Sequence, residues 1–321
     1  MGGYEQRRDM DLVGIELGGT KCICTLGTDR GDILASLRVP TRRNSDETLH
    51  EISTGLHELI RQQKQTASSF DPVGLGIGSF GPLDLNPSSA GFGSVTATPK
   101  PGWSHKNILQ PLSTQLHLPA TITTDVNAAA LAEGRWGAAQ GFDHFIYVTI
   151  GTGIGAGIVS QGHLLNGLTH PEIGHMRIPV ARNGQMSSAG FKGVCSFHDD
   201  CLEGLASGPA IEARTGLKGS EIQKDHVIWE DVTQALAYMC HNLTLMFAPQ
   251  RILLGGGLIM GQPHLINSVQ EKFLLSLNDY AQLPQLIGDI TQYIQRAGLG
   301  DQAGPLGTLA LAQQAAQHKR L

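Results

Sequence analysis

The sequence predicts a two-lobed α/β protein, and three observations carry that expectation. The chain has 321 residues, more than one hydrophobic core usually organises. Glycine turns at Gly18–Thr20 (GGT), Gly151–Gly157 (GTGIGAG) and Gly255–Gly257 (GGG) each follow a strand-like apolar run. Between the first two lies TTDVNAAALAE, Thr123–Glu133, where a β-rich segment gives way to an alanine-rich helix at Asp125.

Composition narrows the class. A hydrophobic content of 40%, a charged content of 16% and 41 glycines fit a globular chain rich in tight turns. The net charge of −5 argues against a nucleic-acid surface, and the basic pairs Arg42–Arg43 and Lys319–Arg320 are isolated. No apolar run reaches the roughly 18 residues a membrane span needs. The start, MGGYEQRRDM, lacks the apolar centre of a signal peptide, and Gln6 stands where myristoylation wants Ser or Thr. A cytoplasmic protein is therefore expected, with the residues before Met10 read as an extension. Five cysteines in a reducing compartment should not pair. Cys22 and Cys24 alternate along one strand face, and Cys240 falls in the apolar helical run Val232–Phe247, so these read as core.

The elements follow in order. Leu12–Glu16 reads as a strand, GGT as a tight turn, Lys21–Leu26 as the returning strand and Leu34–Val39 as a third. Asn44 can cap the next helix with Glu47 three residues on, and Leu49, Ile52, Leu56, Leu59 and Ile60 share one helical face. Val73–Ile77 is a short buried strand; GSFGPLDLNP and the TPKPGW segment, Thr98–Trp103, are loops. Ile108–Leu116 is expected as a helix and Ala120–Thr124 as a strand. The second lobe repeats the theme, with strand Phe145–Ile150, a glycine turn and returning strand Ile154–Ser160, a weak internal duplication. The expected lobes are 10–123, joined by a C-terminal helix within 302–321, and 124–301.

Several residues carry chemistry. Gly-Thr-Gly turns can aim backbone N–H groups and the hydroxyls of Thr20 and Thr152 at phosphate oxygens, although hairpins also need glycine for positive φ. Asp125 reads either as an N-cap of its helix or as a base facing those turns. His175, Cys195, His198 and Cys201 form H…CxxHxxC, which suits a tetrahedral zinc ion; two buried thiols and a surface histidine are the alternative. Such a zinc would be structural, tying the loop from Asn183 to Cys201 to the segment at His175.

Five ordered motifs now carry a resemblance. GIELGGTK (Gly14–Lys21), TDVNAAALAE (Thr124–Glu133), IGTGIGAG (Ile150–Gly157), PEIGH (Pro171–His175) and LLGGGL (Leu253–Leu258) resemble those of ROK-family sugar kinases. Glu16 in place of the commoner Asp, the GPLDLNP and TPKPGW loops and CSFHDDCLEGLASGPA are similar to the bacterial fructokinase branch. The resemblance implies a two-lobed actin/hexokinase/Hsp70-like (ribonuclease H-like) α/β fold with a zinc-stapled loop, closing on ATP and Mg2+. It implies that Asp125 takes the proton of a primary sugar hydroxyl. It also implies that Gly18, Gly19, Thr20, Lys21, Thr152 and Gly153 surround the phosphates, although Lys21 by itself reads as a surface or pairing lysine. Gly208, Pro209, Gly255, Gly256 and Gly257 would line the nucleoside, and Glu172 and His175 the sugar. Glu16 would hold a magnesium-bound water or simply pair with Lys21.

One departure bears on specificity. Glucose-directed relatives usually carry Asn before the base, where this chain has Thr124, which points to fructose ahead of glucose or mannose. Sugar-responsive repressors of the same family carry a DNA-binding segment before the first glycine hairpin, and only a dozen residues precede it here. The expected partners are sugar and ATP, without nucleic acid or membrane, and a homodimer is compatible with the resemblance.

Overall fold

The computed structural model describes residues 9–179, 190–280 and 287–318. The extension before Asp9, the start of the loop from Asn183 and the chain end after His318 lie outside them. The chain folds as two compact units, one of 1–132, 166–170 and 301–321 and one of 133–165 and 171–300. The expected division at Thr124 coincides with the start of a helix; the boundary falls instead within that helix, between Ala132 and Glu133. The reason is local, because the helix's first turns pack on the first unit's own sheet and final helix: a Cβ on Gly78 would lie 3.0 Å from the Ala128 methyl.

The first unit is built on a five-stranded sheet of order β3-β2-β1-β4-β5. Its strands are β1 (Asp11–Leu17), β2 (Lys21–Thr28), β3 (Ile33–Pro40), β4 (Leu75–Ser79) and β5 (Ala120–Thr124). β1, β2 and β3 pair antiparallel, whereas β4 runs parallel to both β1 and β5. The register sets Val13, Ile15 and Leu17 opposite Leu26, Cys24 and Cys22, so alternation gives one continuous apolar face. That face is buried with Leu49, Ile52 and Leu56 of α1 (Ser45–Thr66) and Leu112 and Leu116 of α2 (Leu109–Leu116). The Asn44 side chain accepts from Asp46 and Glu47 N–H and donates to the Glu47 carboxylate, the cap the sequence announces.

On the opposite face the sheet presents glycine. The final helix, Ala303–His318, lies so close that a Cβ on Gly14 would overlap the Thr308 side chain, and one on Gly76 would overlap the Thr308 carbonyl. On the helix itself, a Cβ at Gly307 would overlap the backbone of Ala128 in α3 (Asp125–Trp136). Missing side chains on both partners thus let backbone meet backbone, and the helix supplies alanines and Thr308 where larger residues could not fit.

The second unit repeats the topology, its sheet running β8-β7-β6-β9-β10. The strands are β6 (Phe145–Ile150), β7 (Ile154–Ser160), β8 (His163–Leu164), β9 (Arg251–Gly255) and β10 (Ile294–Arg296). As in the first unit, the central strand makes an antiparallel hairpin on one side and a parallel pair on the other, which gives structural content to the internal duplication. Short helices α4 (Leu202–Ala206) and α5 (Gly208–Thr215), the long α6 (Ile228–Phe247), then α7 (Gly256–Gly261), α8 (Leu265–Leu277) and the single turn α9 (Ile290–Tyr293) complete it. The final helix is α10. Val232, Leu236, Met239, Cys240 and Leu243 of α6 share a core with Val269 and Phe273 of α8 and Ile146, Val148 and Ile252 of the sheet. No two of the five cysteines are joined, and among the described residues no helix is long and apolar enough to cross a membrane.

The glycine packing predicts a stability difference. Gly76→Ala should destabilise by about 1 to 3 kcal/mol, because the backbone of α10 cannot yield to an added methyl. Gly261→Ala, with nothing within 4 Å of its added Cβ, should change stability by less than about 0.5 kcal/mol. Urea unfolding of both variants checks the contrast, and equal effects would remove the close-approach argument.

Candidate active site

The first unit gathers one set of polar groups around the β1 end and the head of α3. Thr124 is buried, and its Oγ1 accepts the N–H of Asn127 at 3.2 Å. Thr124 therefore takes the capping role that the sequence offered to Asp125. That amide takes one of the hydroxyl's two lone pairs, and the hydroxyl proton can still be donated. Asp125 keeps one local bond, from Val126 N–H to Oδ1 at 2.8 Å, and stays partly exposed. Burial pushes its carboxyl up to about 6, against the opposing pull of the Val126 and Asp125 amides.

Glu16, at the other end of this group, is pushed up to about 7. Burial is the largest cause, the facing Asp125 charge adds to it, Lys21 opposes, and Asp301 raises it further. The Glu16 carboxylate lies directly over Gly304, where any side chain on the first turn of α10 would overlap it. The positive end of that helix favours the anion, yet desolvation and two neighbouring acids outweigh it. Glu16 and Asp125 thus form an interacting pair whose protons leave near neutrality rather than near pH 4.

The Gly18–Thr20 turn is pinned beneath this pair. Gly18 N–H donates to the Lys21 carbonyl, the Thr41 hydroxyl to the Gly18 carbonyl at 2.7 Å, and Thr41 N–H to the Thr20 carbonyl. Gly19, Thr20 and Lys21 are exposed, and among the described residues Gly19 and Thr20 N–H meet no acceptor. His170, a buried histidine that no sequence motif marks, accepts Leu83 N–H through Nε2 at 3.1 Å and so ties its segment to the GPLDLNP loop.

The second unit gathers another set. Thr152 is exposed at the tip of the β6–β7 hairpin, where Gly151 N–H donates to the Gly153 carbonyl. Gly208 N–H, at the start of α5, donates to the Gly151 carbonyl at 2.8 Å, and Pro209 follows it exposed in the first turn. Gly255 pairs with Thr149 in parallel register, and Gly256, at φ +82°, has no room for a Cβ against the Ile150 backbone. Gly257 N lies 3.7 Å from where a Cβ on Gly151 would be. The GTG, SGP and GGG segments therefore converge within this unit.

Glu172 precedes a single 3-10 turn, Ile173–His175, and is exposed, while Gly174 lies against the Ile154 carbonyl. His175 Nδ1 faces Cys195 Sγ at 3.6 Å, Cys201 Sγ at 3.7 Å and His198 Nδ1 at 3.3 Å; Cys195 Sγ stands 3.8 Å from His198 Nδ1. These four ligand atoms all lie within 4.8 Å of one another, a group able to hold a metal ion.

One residue in this set is not apparent from the sequence motifs. Glu203 Oε2 accepts Ile154 N–H at 2.9 Å, and a Cβ on Gly153 would lie 2.7 Å from that oxygen. The helix that begins at Cys201 thus holds the hairpin tip through Glu203. Its signal is an acid two residues beyond a ligand cysteine, within a segment that reads only as a branch signature.

Known proteins match this chain over nearly its whole length. It is 42% identical over 306 residues to a fructokinase of Pediococcus pentosaceus, covering 95% of this chain and 99% of that protein. It is 39% identical to a fructokinase of Lactococcus lactis subsp. cremoris, covering 84% and 86%. The ROK hexokinase of Thermus thermophilus superposes with a TM-score of 0.76 at 26% identity, covering 96% of this chain and 100% of that one. The sequence profile of the ROK family matches residues 12–315, and the chain belongs to that family.

Proposed function

We propose that this protein is an ATP-dependent fructokinase, transferring the γ-phosphoryl group of ATP to the 6-hydroxyl of fructose. The observation that carries the reading is the partly exposed, desolvated Asp125 carboxylate beside Glu16 and the pinned Gly18–Thr20 turn, in a chain about 40% identical to fructokinases. A carboxylate with its pKa raised to about 6 is ionised at neutral pH yet basic enough to accept a hydroxyl proton.

In this reading Asp125 takes the proton of the 6-hydroxyl as that oxygen bonds to the γ-phosphorus. The bond to the β–γ bridging oxygen breaks, and the electron pair leaves with ADP. The free N–H groups of Gly19 and Thr20 donate to phosphate oxygens, as do those of the Thr152–Gly153 tip. The converging Gly208, Pro209 and Gly255–Gly257 backbone suits a nucleoside wall. Glu172, His175 and the donating Thr124 hydroxyl serve the sugar.

Two metals enter this reading. Glu16, with acids on either side of it, has the donor chemistry of a magnesium-water holder, and the ion would neutralise phosphate charge when bound. For the cysteine–histidine group the spacing itself is the test. A tetrahedron with about 2.0–2.1 Å bonds to nitrogen and 2.3 Å to sulfur separates two nitrogens by about 3.3 Å and nitrogen from sulfur by about 3.6 Å. The observed 3.3 Å and 3.6–3.8 Å fit zinc at His175, Cys195, His198 and Cys201. Its role would be to fix the segment holding Glu172 and Glu203. ATP supply and unpaired thiols favour a cytoplasmic setting.

Two outcomes are expected. Asp125→Asn should lower kcat by at least about a hundredfold with both KM values little changed, since an amide cannot accept the proton. In the unmodified enzyme kcat/KM for fructose should fall as pH drops through about 6, where Asp125 takes up a proton. The sign for stability is opposite. The folded pKa is above the unfolded one, so the charged form costs stability above pH 4, and Asp125→Asn should be at least as stable at pH 7. A stable Asp125→Asn enzyme with near-normal turnover would remove Asp125 from its role. Purified protein should also contain about one zinc per chain, and Cys201→Ser should lose both metal and thermal stability. Active protein without zinc on elemental analysis would overturn the ligand assignment.

A further inference from the structure

Phosphoryl transfer needs positive charge at the phosphate oxygens as well as N–H donors, and the Gly18–Thr20 turn by itself offers only backbone N–H groups and a hydroxyl. Lys21, the lysine inside the glycine motif, is exposed at the start of β2, and its charge is felt at Glu16. Another lysine occupies the turn itself. Lys100, from the TPKPGW loop, donates its Nζ to the carbonyl of Gly19.

The loop is built to hold that ammonium in place. Trp103 is fully buried and donates Nε1–H to the Arg42 carbonyl at 2.9 Å, and Gly102, at φ +78°, lies against the Arg43 carbonyl with no room for a side chain. Thr98 N–H and the Thr98 carbonyl both bond the Ser104 hydroxyl, closing the loop on itself. Phe80 stacks edge-on against Trp103 at 5.2 Å and offers its ring face to Lys100 Nζ at 5.6 Å. Thr41, two residues before the Arg43 contact, pins the Gly18 and Thr20 carbonyls of the same turn.

Among the described residues Lys100 makes no ion pair, although Lys106 nearby in sequence pairs with Asp46 and Arg42 with Glu51. An ammonium whose partners are one carbonyl and one aromatic face, on a half-buried lysine, retains an unbalanced positive charge and further N–H donors. Those donors stand at the turn where Gly19 and Thr20 N–H are also unused. Three donor groups and one full charge at a single turn are the chemistry of a polyphosphate site.

We propose that Lys100 is a phosphate-binding residue of the nucleotide site, supplying the positive charge that the Gly18–Thr20 turn lacks. This deepens the kinase reading and rests on it for the identity of the nucleotide. The bland role, a strut joining the TPKPGW loop to the hairpin, uses the same Gly19 contact but makes no use of charge beyond it, so the two roles separate by ligand.

The test uses the full chain with Lys100→Met and Lys100→Arg. Titration calorimetry with MgATP and with AMP, without sugar, reads the phosphate dependence; fructose-dependent ADP release and thermal melting accompany it. Lys100→Met should weaken MgATP relative to AMP by at least about tenfold and lower kcat/KM for MgATP by about a hundredfold. Lys100→Arg should keep at least about a tenth of the unmodified value, because the charge is retained. A Lys100→Met protein with an unchanged ratio of MgATP to AMP affinity would overturn the proposal. So would equal losses in both variants accompanied by the same fall in melting temperature, which is the strut alone. Unmodified protein that discriminates MgATP from AMP but releases no ADP with fructose would sink the fructokinase reading and leave Lys100 in place.

Discussion

The packing of α10 on the first sheet governs the chemistry placed on it. Gly14 and Gly76 on the strands and Gly307 on the helix leave no side chains between the two backbones, and the helix settles onto β1, β4 and the head of α3. Its first turn then covers Glu16 at Gly304, while Gly307 seats against Ala128, one turn beyond Asp125. The same approach that buries the sheet therefore removes water from Glu16, whose carboxyl burial pushes up to about 7, next to the Asp125 carboxyl that burial raises to about 6. A bulkier helix would stand off, rehydrate Glu16 and return its pKa toward the ordinary carboxylate range. The stability cost of two desolvated acids is a cost carried for function, and the tight glycine packing is what sustains it.

In the second unit the organising interaction is different. Glu203 reaches the Ile154 amide from a helix capped by Cys201, and Gly208 reaches the Gly151 carbonyl. A metal held by His175, Cys195, His198 and Cys201 would then steady more than the sugar-contacting turn at Glu172. It would also fix the tip of the β6–β7 hairpin, because the ligand loop and the hairpin share a hydrogen bond. A side chain at Gly153 would displace the Glu203 carboxylate from that position.

Much of this was legible in the sequence where the causes are local. Alternation placed Cys22 and Cys24 on one buried face, Asn44 and Glu47 announced a cap, and the glycine turns marked both hairpins. The H…CxxHxxC spacing foretold a group that does gather. The misses are interactions between residues far apart in sequence. Nothing near Asp125 signals that Thr124 takes the cap instead, because either side chain could reach a first-turn amide. Lys100 lies 81 positions from Gly19, and Glu203 is 49 from Ile154, separations at which spacing carries no message. The division of the chain inside α3 was equally hidden, being set by packing on α10 rather than by any break in composition.

The proposed reaction has Asp125 take the proton of the fructose 6-hydroxyl as ATP gives up its γ-phosphoryl group, with Thr124 in place of a side chain suited to glucose. The most direct measurement is ADP release across fructose, mannose and glucose, with phosphorus NMR on the product. Fructose 6-phosphate is the expected product, with kcat/KM for fructose above that for glucose by at least about tenfold, the value of one poorly paired sugar hydroxyl. Glucose preferred over fructose, or phosphate on any oxygen but the sixth, would contradict it.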